Sequence, residues 1–429
     1  MHPDSMKTRE KHLRMQNSKT RNKKSFIKEW AGKLHLFFGL GTGGLVFIIA
    51  VTGCLYVFKD EIENFTRQEV IYHHETRLDE KKMLPIRVLE EKVAQQVPEP
   101  FPIHWVNIPI DREMSYMFYW YEHQPDQWNY FEEFPSYKVA YVNPYSGKVL
   151  ANYDEKNSFF GIVKSIHYSF LLKQDWGKYV VGIPVILFTL MLISGIILWW
   201  PKNKAARKQR FWFRWKNVKN WKRKNYDVHN ILGFYTSVFG LILSITGLFY
   251  AFFIVQAVIY VVFSGGNTVY PDFSHIKTEA PVSDRTPATT DKIANKVKEL
   301  YPGAYGFSID LGHPHMDDHE HANFEVFVKH LSYSFHKNSS LIFDENSGEL
   351  LHAHNPEDKN FGEKAVAANY DIHVGAIMGM PTKILAFLIS LAIAALPVTG
   401  CMIWYGRRKK KVKARGPLVK PVPAETVSQ

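Results

Sequence analysis

Residues 34–58 read LHLFFGLGTGGLVFIIAVTGCLYVF and contain no Asp, Glu, Lys or Arg. A helix needs about 20 mostly apolar residues to cross the hydrocarbon core of a bilayer. Three further stretches of this kind lie at 179–200, 231–263 and 384–405. The 429-residue chain is therefore predicted to cross a membrane four times.

The first apolar stretch recurs later in the chain. Residues 228–252 read VHNILGFYTSVFGLILSITGLFYAF, and a shift of 194 residues superimposes 34–58 on them without a gap. The coinciding positions include His35 and His229, Gly39 and Gly233, Thr42 and Thr236, Gly53 and Gly247, and Tyr56 and Tyr250. A shift of 205 aligns the second and fourth stretches, and lays Gly195 on Gly400. This pattern predicts an internal duplication.

The net charge of +12 is concentrated beside the apolar stretches, at 7–33, 202–224 and 407–415. The positive-inside rule then assigns both termini and the short connection between the second and third spans to the cytoplasm. It assigns 59–176 and 264–380 to the far side of a bacterial inner membrane. Because the charge belongs to the membrane flanks, nucleic-acid binding is not indicated.

Each long far-side segment has the pattern of a small α+β module. Helical periodicity at 85–97 and 287–300 precedes strand-like runs rich in aromatic and β-branched residues. The chain is therefore predicted to be a four-helix transmembrane bundle with two periplasmic α+β modules. Its segments are a basic N-terminus at 1–33, spans at 34–58, 177–200, 227–263 and 381–405, periplasmic modules at 59–176 and 264–380, a basic cytoplasmic connection at 201–226 and a basic tail at 406–429.

Four histidines stand at the starts of the spans. His35 and His229 open the first and third spans on the cytoplasmic side, and His167 and His373 precede the second and fourth on the outer side. A coordinating side chain at membrane depth is a functional candidate by default. Since the halves repeat in the same orientation, each pair is expected at one level, where two facing imidazoles can bind both axial positions of a haem iron.

Without a CxxCH motif the attachment would be non-covalent, as in haem b, and two stacked haems would make an electron path across the bilayer. The alternative is that the histidines only place polar rings at helix ends near the interface.

A break is expected between His167 and the second span. A continuous helix from His167 to Gly195 would be about 42 Å long, more than a bilayer core of about 30 Å. Residues 175–177 and 379–381 are the natural break points. His167 and His373 would then lie on short interfacial helices.

A Thr-Gly or Ser-Gly pair occurs in every span, at Gly53, Gly195, Gly247 and Gly400. At about 1.5 Å per residue, Gly53 lies about 27 Å beyond His35, near the level of the other histidine pair. A position without a side chain there makes room for a porphyrin or allows close helix packing. The sequence leaves both readings open.

Two other groups are ligand candidates. Five residues have ligand types suited to a divalent or ferric ion, but a solvated acidic and histidine-rich loop is the simpler explanation; they are His313, His315, Asp317, His319 and His321. Aromatic residues of the first module can hold a flat, catecholate-like ligand or pack within strands; they include Trp105, Tyr119, Tyr121 and Trp128.

The chain resembles the PepSY-associated transmembrane family, sometimes described as iron-regulated membrane proteins. The likeness rests on His35 with Gly39, His229 with Gly233, His167, the closing Trp199-Trp200-Pro201 and the two strand-Ser-Gly-strand modules. The fourth span departs from this pattern, because it ends in Trp404-Tyr405-Gly406.

Members of that family are similar to ferric-siderophore reductases, which are di-haem membrane proteins. The resemblance implies two haems held by His35 with His229 and by His167 with His373, and reduction of a periplasmic ferric siderophore or other iron chelate. The electrons would come from quinol or a reductase. The competing expectation is a non-enzymatic PepSY protein that binds or regulates a periplasmic protease or a metal-uptake partner.

Overall fold

The computed structural model describes residues 3–201, 204, 210–216, 218–273, 276, 287–311 and 323–414. The chain divides into two compact units. The helical unit comprises Met1–Phe47, Leu187–Leu241 and Leu391–Gln429, and the sheet unit comprises Ile48–Ile186 and Ile242–Ser390.

Four helices of the described chain are long and apolar enough to cross a membrane, which confirms the prediction of a multi-pass membrane protein. They are α1 (Pro3–Tyr56), α7 (Gln174–Trp199), α8 (Trp221–Ala251) and α12 (Met380–Ala414), and their candidate spans are Phe26–Tyr56, Gln174–Trp199, Trp221–Ala251 and Met380–Arg408.

The third apolar run forms two helices, where the sequence predicts one span over 227–263. α8 ends at Ala251, Phe252 is extended, and α9 follows at Phe253–Phe263. A Cβ atom on Gly182 would meet the Phe252 ring at 2.6 Å, so the missing side chain leaves space for this ring. Hydropathy alone does not detect this break because every residue around it is apolar.

The two helices that carry His167 and His373 are separate from the spans. α6 (Phe159–Ser169) ends at Phe170 and Leu171, whose φ angles are 55° and 62°. The break therefore precedes the predicted 175–177, which lie in the first turn of α7. Such φ values are uncommon outside glycine, so no sequence signal marked the position.

In the second half, α11 (Phe361–Val374) ends at Gly375, and the turn Ala376–Met378 leads to α12. Gly375 and Gly379 have φ angles of 78° and 72°, which glycine adopts easily. The interruption between the two helices therefore covers residues 375–379, and it overlaps the predicted break at 379–381 by one residue.

The strands of both predicted α+β modules join in one antiparallel sheet, a connection that the sequence did not indicate. Its strands are β1 (Trp105–Pro109), β2 (Tyr116–Glu122), β3 (Ser136–Val142), β4 (Val149–Asp154), β5 (Gly306–Asp310), β6 (Asn323–Leu331), β7 (Ser334–Asp344) and β8 (Leu350–His354). Their order in the sheet is β4-β3-β2-β1-β5-β6-β7-β8, and β1 pairs with β5 from Trp105 opposite Asp310 to Pro109 opposite Gly306.

Two helices cover one face of the sheet, α4 (Ile86–Gln96) and α10 (Pro287–Leu300). The side chain of Asp291 from α10 accepts a hydrogen bond of 2.8 Å from the amide of Ile86, the first residue of α4. A side chain of the second half therefore satisfies a backbone amide at the start of a helix of the first half. Shorter helices are α2 (Lys59–Thr66), α3 (Gln68–Ile71), α5 (Tyr130–Glu133) and a 3₁₀ turn at Leu78–Glu80.

Phe118 lies at the centre of this core and is 0% exposed. Replacing Phe118 with Ala is expected to lower the free energy of unfolding by about 3–5 kcal/mol, because the lost transfer energy and the residual cavity add. Denaturant unfolding followed by far-UV circular dichroism measures the change. Trp128→Ala is the control, since Trp128 is 77% exposed and should cost less than about 1 kcal/mol. Equal losses in both variants would contradict the assignment of this core.

Candidate cofactor site formed by two facing histidine pairs

The helical unit brings His35 of α1 and His229 of α8 together. Their ring centres lie 6.3 Å apart and the ring planes are nearly perpendicular, at 87°. Nδ1 of His35 lies 3.2 Å from the carbonyl oxygen of Met191 and 3.0 Å from the hydroxyl of Ser194. Nδ1 of His229 lies 2.9 Å from the hydroxyl of Thr399.

The sheet unit brings His167 of α6 and His373 of α11 together in the same way. Their ring centres lie 6.0 Å apart, with 55° between the planes. Nδ1 of His167 lies 2.9 Å from the carbonyl oxygen of Ile49 and 3.2 Å from the hydroxyl of Thr52. Nδ1 of His373 lies 2.9 Å from the hydroxyl of Thr246.

Backbone carbonyl groups decide which ring nitrogen carries the proton. A carbonyl oxygen can only accept, so Nδ1 donates to Met191 in His35 and to Ile49 in His167. His229 and His373 make the same kind of backbone hydrogen bond, to Leu396 and Leu243. The hydroxyl groups beside Nδ1 donate to carbonyls of their own helices; they belong to Thr52, Ser194, Thr246 and Thr399. Nε2 is left with its lone pair, which is the form that binds a metal.

Each of the four glycines faces one of these rings. A Cβ atom would lie 2.9 Å from Cε1 of His167 at Gly53 and 3.2 Å from Cε1 of His373 at Gly247. The corresponding distances from Gly195 to His35 and from Gly400 to His229 are 3.4 and 3.3 Å. The Thr-Gly or Ser-Gly pair thus serves the imidazole directly: the hydroxyl fixes the ring, and the glycine admits it. Two explanations for these glycines follow from the sequence alone, space for a porphyrin and close helix packing. Neither explanation includes contact with a histidine ring.

The ring separations fit two imidazoles on one metal. A bond of about 2 Å from each Nε2 to the metal places the two ring centres about 6 Å apart. No hydrogen-bond partner of the four Nε2 atoms occurs within the described part of the chain. Across the same residues no cluster of three or more His, Cys, Asp or Glu has the arrangement of a metal site. Each pair therefore offers two ligands, the number that a six-coordinate haem iron of the cytochrome type takes from a protein.

The pair in the helical unit borders a cavity of about 430 Å³. This volume is within the usual range for a small-molecule site, about 300–1,000 Å³. Its walls are mostly apolar. They include the glycines Gly32, Gly39, Gly43, Gly195 and Gly400, and the larger apolar residues Leu36, Phe188, Leu192, Phe234 and Leu396. A flat apolar group is suited to such walls.

Burial keeps the imidazoles of the sheet unit neutral. Desolvation lowers the pKa of His167 and, together with repulsion from His167, lowers the pKa of His373 to about 3. At neutral pH both rings are therefore uncharged, as metal ligation requires.

The lowered pKa of His373 predicts a pH-dependent stability of the protein without cofactor. Because the pKa falls from 6.5 to about 3 on folding, the stabilisation is complete above pH 6.5 and is lost as the pH falls towards 3. Melting temperatures measured across this range should decline less steeply in His373→Gln, which cannot take up that proton. Parallel curves for both proteins would contradict the buried, neutral state of His373.

The remaining predicted ligands differ in outcome. His313, His315, Asp317, His319 and His321 lie outside the described residues. Trp105 stacks on Tyr119 with ring centres 4.9 Å apart and 16° between the planes, so these two rings pack against each other on the sheet.

Sequence reasoning missed the hydroxyl groups that hold Nδ1. Their signal was present, because Thr or Ser directly precedes all four glycines. It also missed Asn369, which is buried and donates a hydrogen bond of 3.2 Å to the carbonyl oxygen of Thr246, beside His373.

The family model described as the PepSY-associated TM region matches residues 33–407. A search of curated proteins finds no match.

Proposed function

The chain belongs to the PepSY-associated TM family, and we propose that it is a di-haem electron-transfer protein of the bacterial inner membrane that reduces siderophore-bound ferric iron in the periplasm. The observation that carries the proposal is the pair of facing imidazoles in each unit, 6.3 and 6.0 Å apart, with Nδ1 engaged and Nε2 available.

The donor set suits iron in a porphyrin. Neutral imidazole is a good ligand for both iron oxidation states, and two axial histidines leave no open position for oxygen or another small ligand. Bound haem supplies one-electron oxidation and reduction. The chain's own residues bind the iron through Nε2, fix the rings through hydroxyl and carbonyl groups, and exclude water with apolar walls.

The direction of electron flow follows from the expected topology. Basic residues flank the cytoplasmic ends of the spans, so the His35 and His229 pair would accept electrons from quinol or a reductase. The His167 and His373 pair would pass them to a ferric chelate on the periplasmic side. One electron converts Fe³⁺ to Fe²⁺, which binds hard oxygen ligands less tightly, and the metal is released from the chelator.

Absorption spectra of the detergent-purified protein before and after dithionite test this function. We expect a Soret band and α bands that shift on reduction, in protein from haem-replete cells. Mixing the reduced protein with a ferric hydroxamate or catecholate chelate under anaerobic conditions should reoxidise it and form ferrous iron, which a ferrous-specific dye records. Protein without reducible haem would refute the proposal, as would reduced protein that the ferric chelates do not reoxidise.

One observation favours the alternative of a non-enzymatic binding protein. A groove of about 900 Å³ lies beside α4 and α10 and is lined by Met83, Leu84, Tyr116, Asn295 and Lys298, among others. Nζ of Lys298 donates to the hydroxyl of Tyr116 over 2.9 Å. A protein that only binds a periplasmic partner here needs no histidine pairs, so haem-free purified protein with an intact fold would favour this function.

A further inference from the structure

The cavity of the helical unit changes in polarity along α12. Leu396 and Pro397 line it before Gly400, and Trp404 and Arg407 line it afterwards. Gly400 is the residue that faces the ring of His229. Arg407 lies about 10 Å beyond Gly400 along the helix axis. One end of the cavity is therefore apolar, and the other carries a cation.

The polar end has a second contribution, from α8. Tyr226 and Asn230 line the cavity one turn before His229 and directly after it. The amide of Asn230 donates to the carbonyl oxygen of Tyr226 over 2.7 Å, so the donors that this end offers to a ligand include the hydroxyl of Tyr226 and the guanidinium of Arg407. The cavity is thus suited to a flat ligand that has an apolar body and an anionic edge.

Arg407 has no counterion in the described part of the chain. Two carboxylates of the helical unit have described side chains, Glu29 and Asp227, and both are engaged. Glu29 pairs with Lys33 at 2.8 Å, and Asp227 pairs with Arg223 at 3.0 Å. Arg407 is exposed and stays charged at any physiological pH, so its guanidinium group is available to an anion from outside the unit's own described side chains.

We propose that Arg407 pairs with the propionate groups of a haem held by His35 and His229, and that this pairing orients the haem with its carboxylate edge towards Tyr226 and the C-terminal end of α12. The inference rests on the proposed function. A guanidinium group is suited to the task because its fork of donors matches a carboxylate in two hydrogen bonds. The competing possibility is that Arg407 only contacts lipid phosphates at the membrane surface.

Haem and its dimethyl ester separate these cases, because the ester has the same macrocycle without the carboxylate charges. The protein, stripped of haem, is titrated with each compound as wild type, Arg407→Gln and Arg408→Gln. Arg408 is the matched control: it carries the same charge and is exposed, as Arg407 is, but it does not line the cavity and lies over the Trp404 ring. Each variant is also made together with His373→Ala, so that the pair of His35 and His229 is the one complete histidine pair. The same titrations without His373→Ala show whether that substitution itself alters the result.

We expect Arg407→Gln to weaken binding of haem about three- to fivefold, the upper range for an ion pair that solvent reaches. Binding of the dimethyl ester should change by less than about twofold, and Arg408→Gln should change neither. Equal weakening of haem and ester would overturn the proposal, as would equal behaviour of the two arginine variants. Wild-type protein that binds neither compound would overturn the proposed function itself.

The redox equilibrium gives an independent readout. A positive charge near the haem disfavours the ferric form, so Arg407→Gln should lower the ferrous-to-ferric ratio at a fixed potential. A tenfold change in this ratio corresponds to 59 mV for a one-electron couple. Arg407→Lys should recover most of the ratio because it restores the charge. An unchanged ratio in Arg407→Gln would contradict the pairing.

Discussion

Under the proposed di-haem function, replacing His229 with Ala is expected to remove the haem of the helical unit and to leave that of the sheet unit in place. The haem content should fall by about half, because one axial imidazole of a pair is lost while the other pair is complete. The remaining haem should keep the six-coordinate spectrum of two imidazole ligands. Replacing His373 should give the complementary result.

Haem content is measured per chain after extraction, and the spectrum of the reduced protein identifies the ligation of what remains. His74→Ala is the control, since His74 is exposed and belongs to neither pair. If His229→Ala and His35→Ala removed different haems, the pairing of His35 with His229 would be wrong. If both variants kept the full haem content, neither His35 nor His229 would be a haem ligand.

Replacing Gly53 with Ala is expected to displace the ring of His167 and to weaken haem binding at that pair by at least about tenfold. The added Cβ would lie 2.9 Å from Cε1 of His167, closer than carbon atoms pack. The substitution would otherwise favour the helix by about 1 kcal/mol, because alanine is the better helix former. A loss of haem would therefore reflect the steric contact and not a weaker helix.

Gly44→Ala is the matched control in the same helix, because no atom lies within 4 Å of its added Cβ. It should leave the spectrum unchanged and give the same gain in helix propensity. Haem retention and resonance Raman spectra of the imidazole ligation distinguish the two variants. If Gly53→Ala retained the haem as well as Gly44→Ala does, Gly53 would serve only helix packing.

The membrane spans follow from the sequence because burial in lipid demands long apolar helices whatever the tertiary contacts. The two histidine pairs also follow, since the predicted repeat aligns His35 with His229 and His167 with His373. The breaks at Phe170 and Phe252 do not follow. Neither position is a glycine or a proline, and tertiary packing, such as the Phe252 ring against Gly182, determines them.

Like the helix breaks, the joining of all eight strands in one sheet could not be predicted from sequence patterns. Alternation within a strand shows that a segment is a strand, but it does not identify the neighbour of an edge strand. Pairing between Asn107 and Ser308 depends on the edges of two distant segments meeting. The hydroxyl contacts to Nδ1 were visible as a Thr-Gly or Ser-Gly pattern, but their role required the position of each imidazole.

The pairing of β1 with β5 has a consequence for any chain that contains only one half. The strand order reads 4-3-2-1 on one side of this seam and 5-6-7-8 on the other. A first half made alone would expose β1 as an unprotected edge, and two copies could join there as a two-fold homodimer. In the present chain this interface is intramolecular, so it forms at any protein concentration. A substitution in one half then appears once in the sheet, whereas in a homodimer it would appear twice.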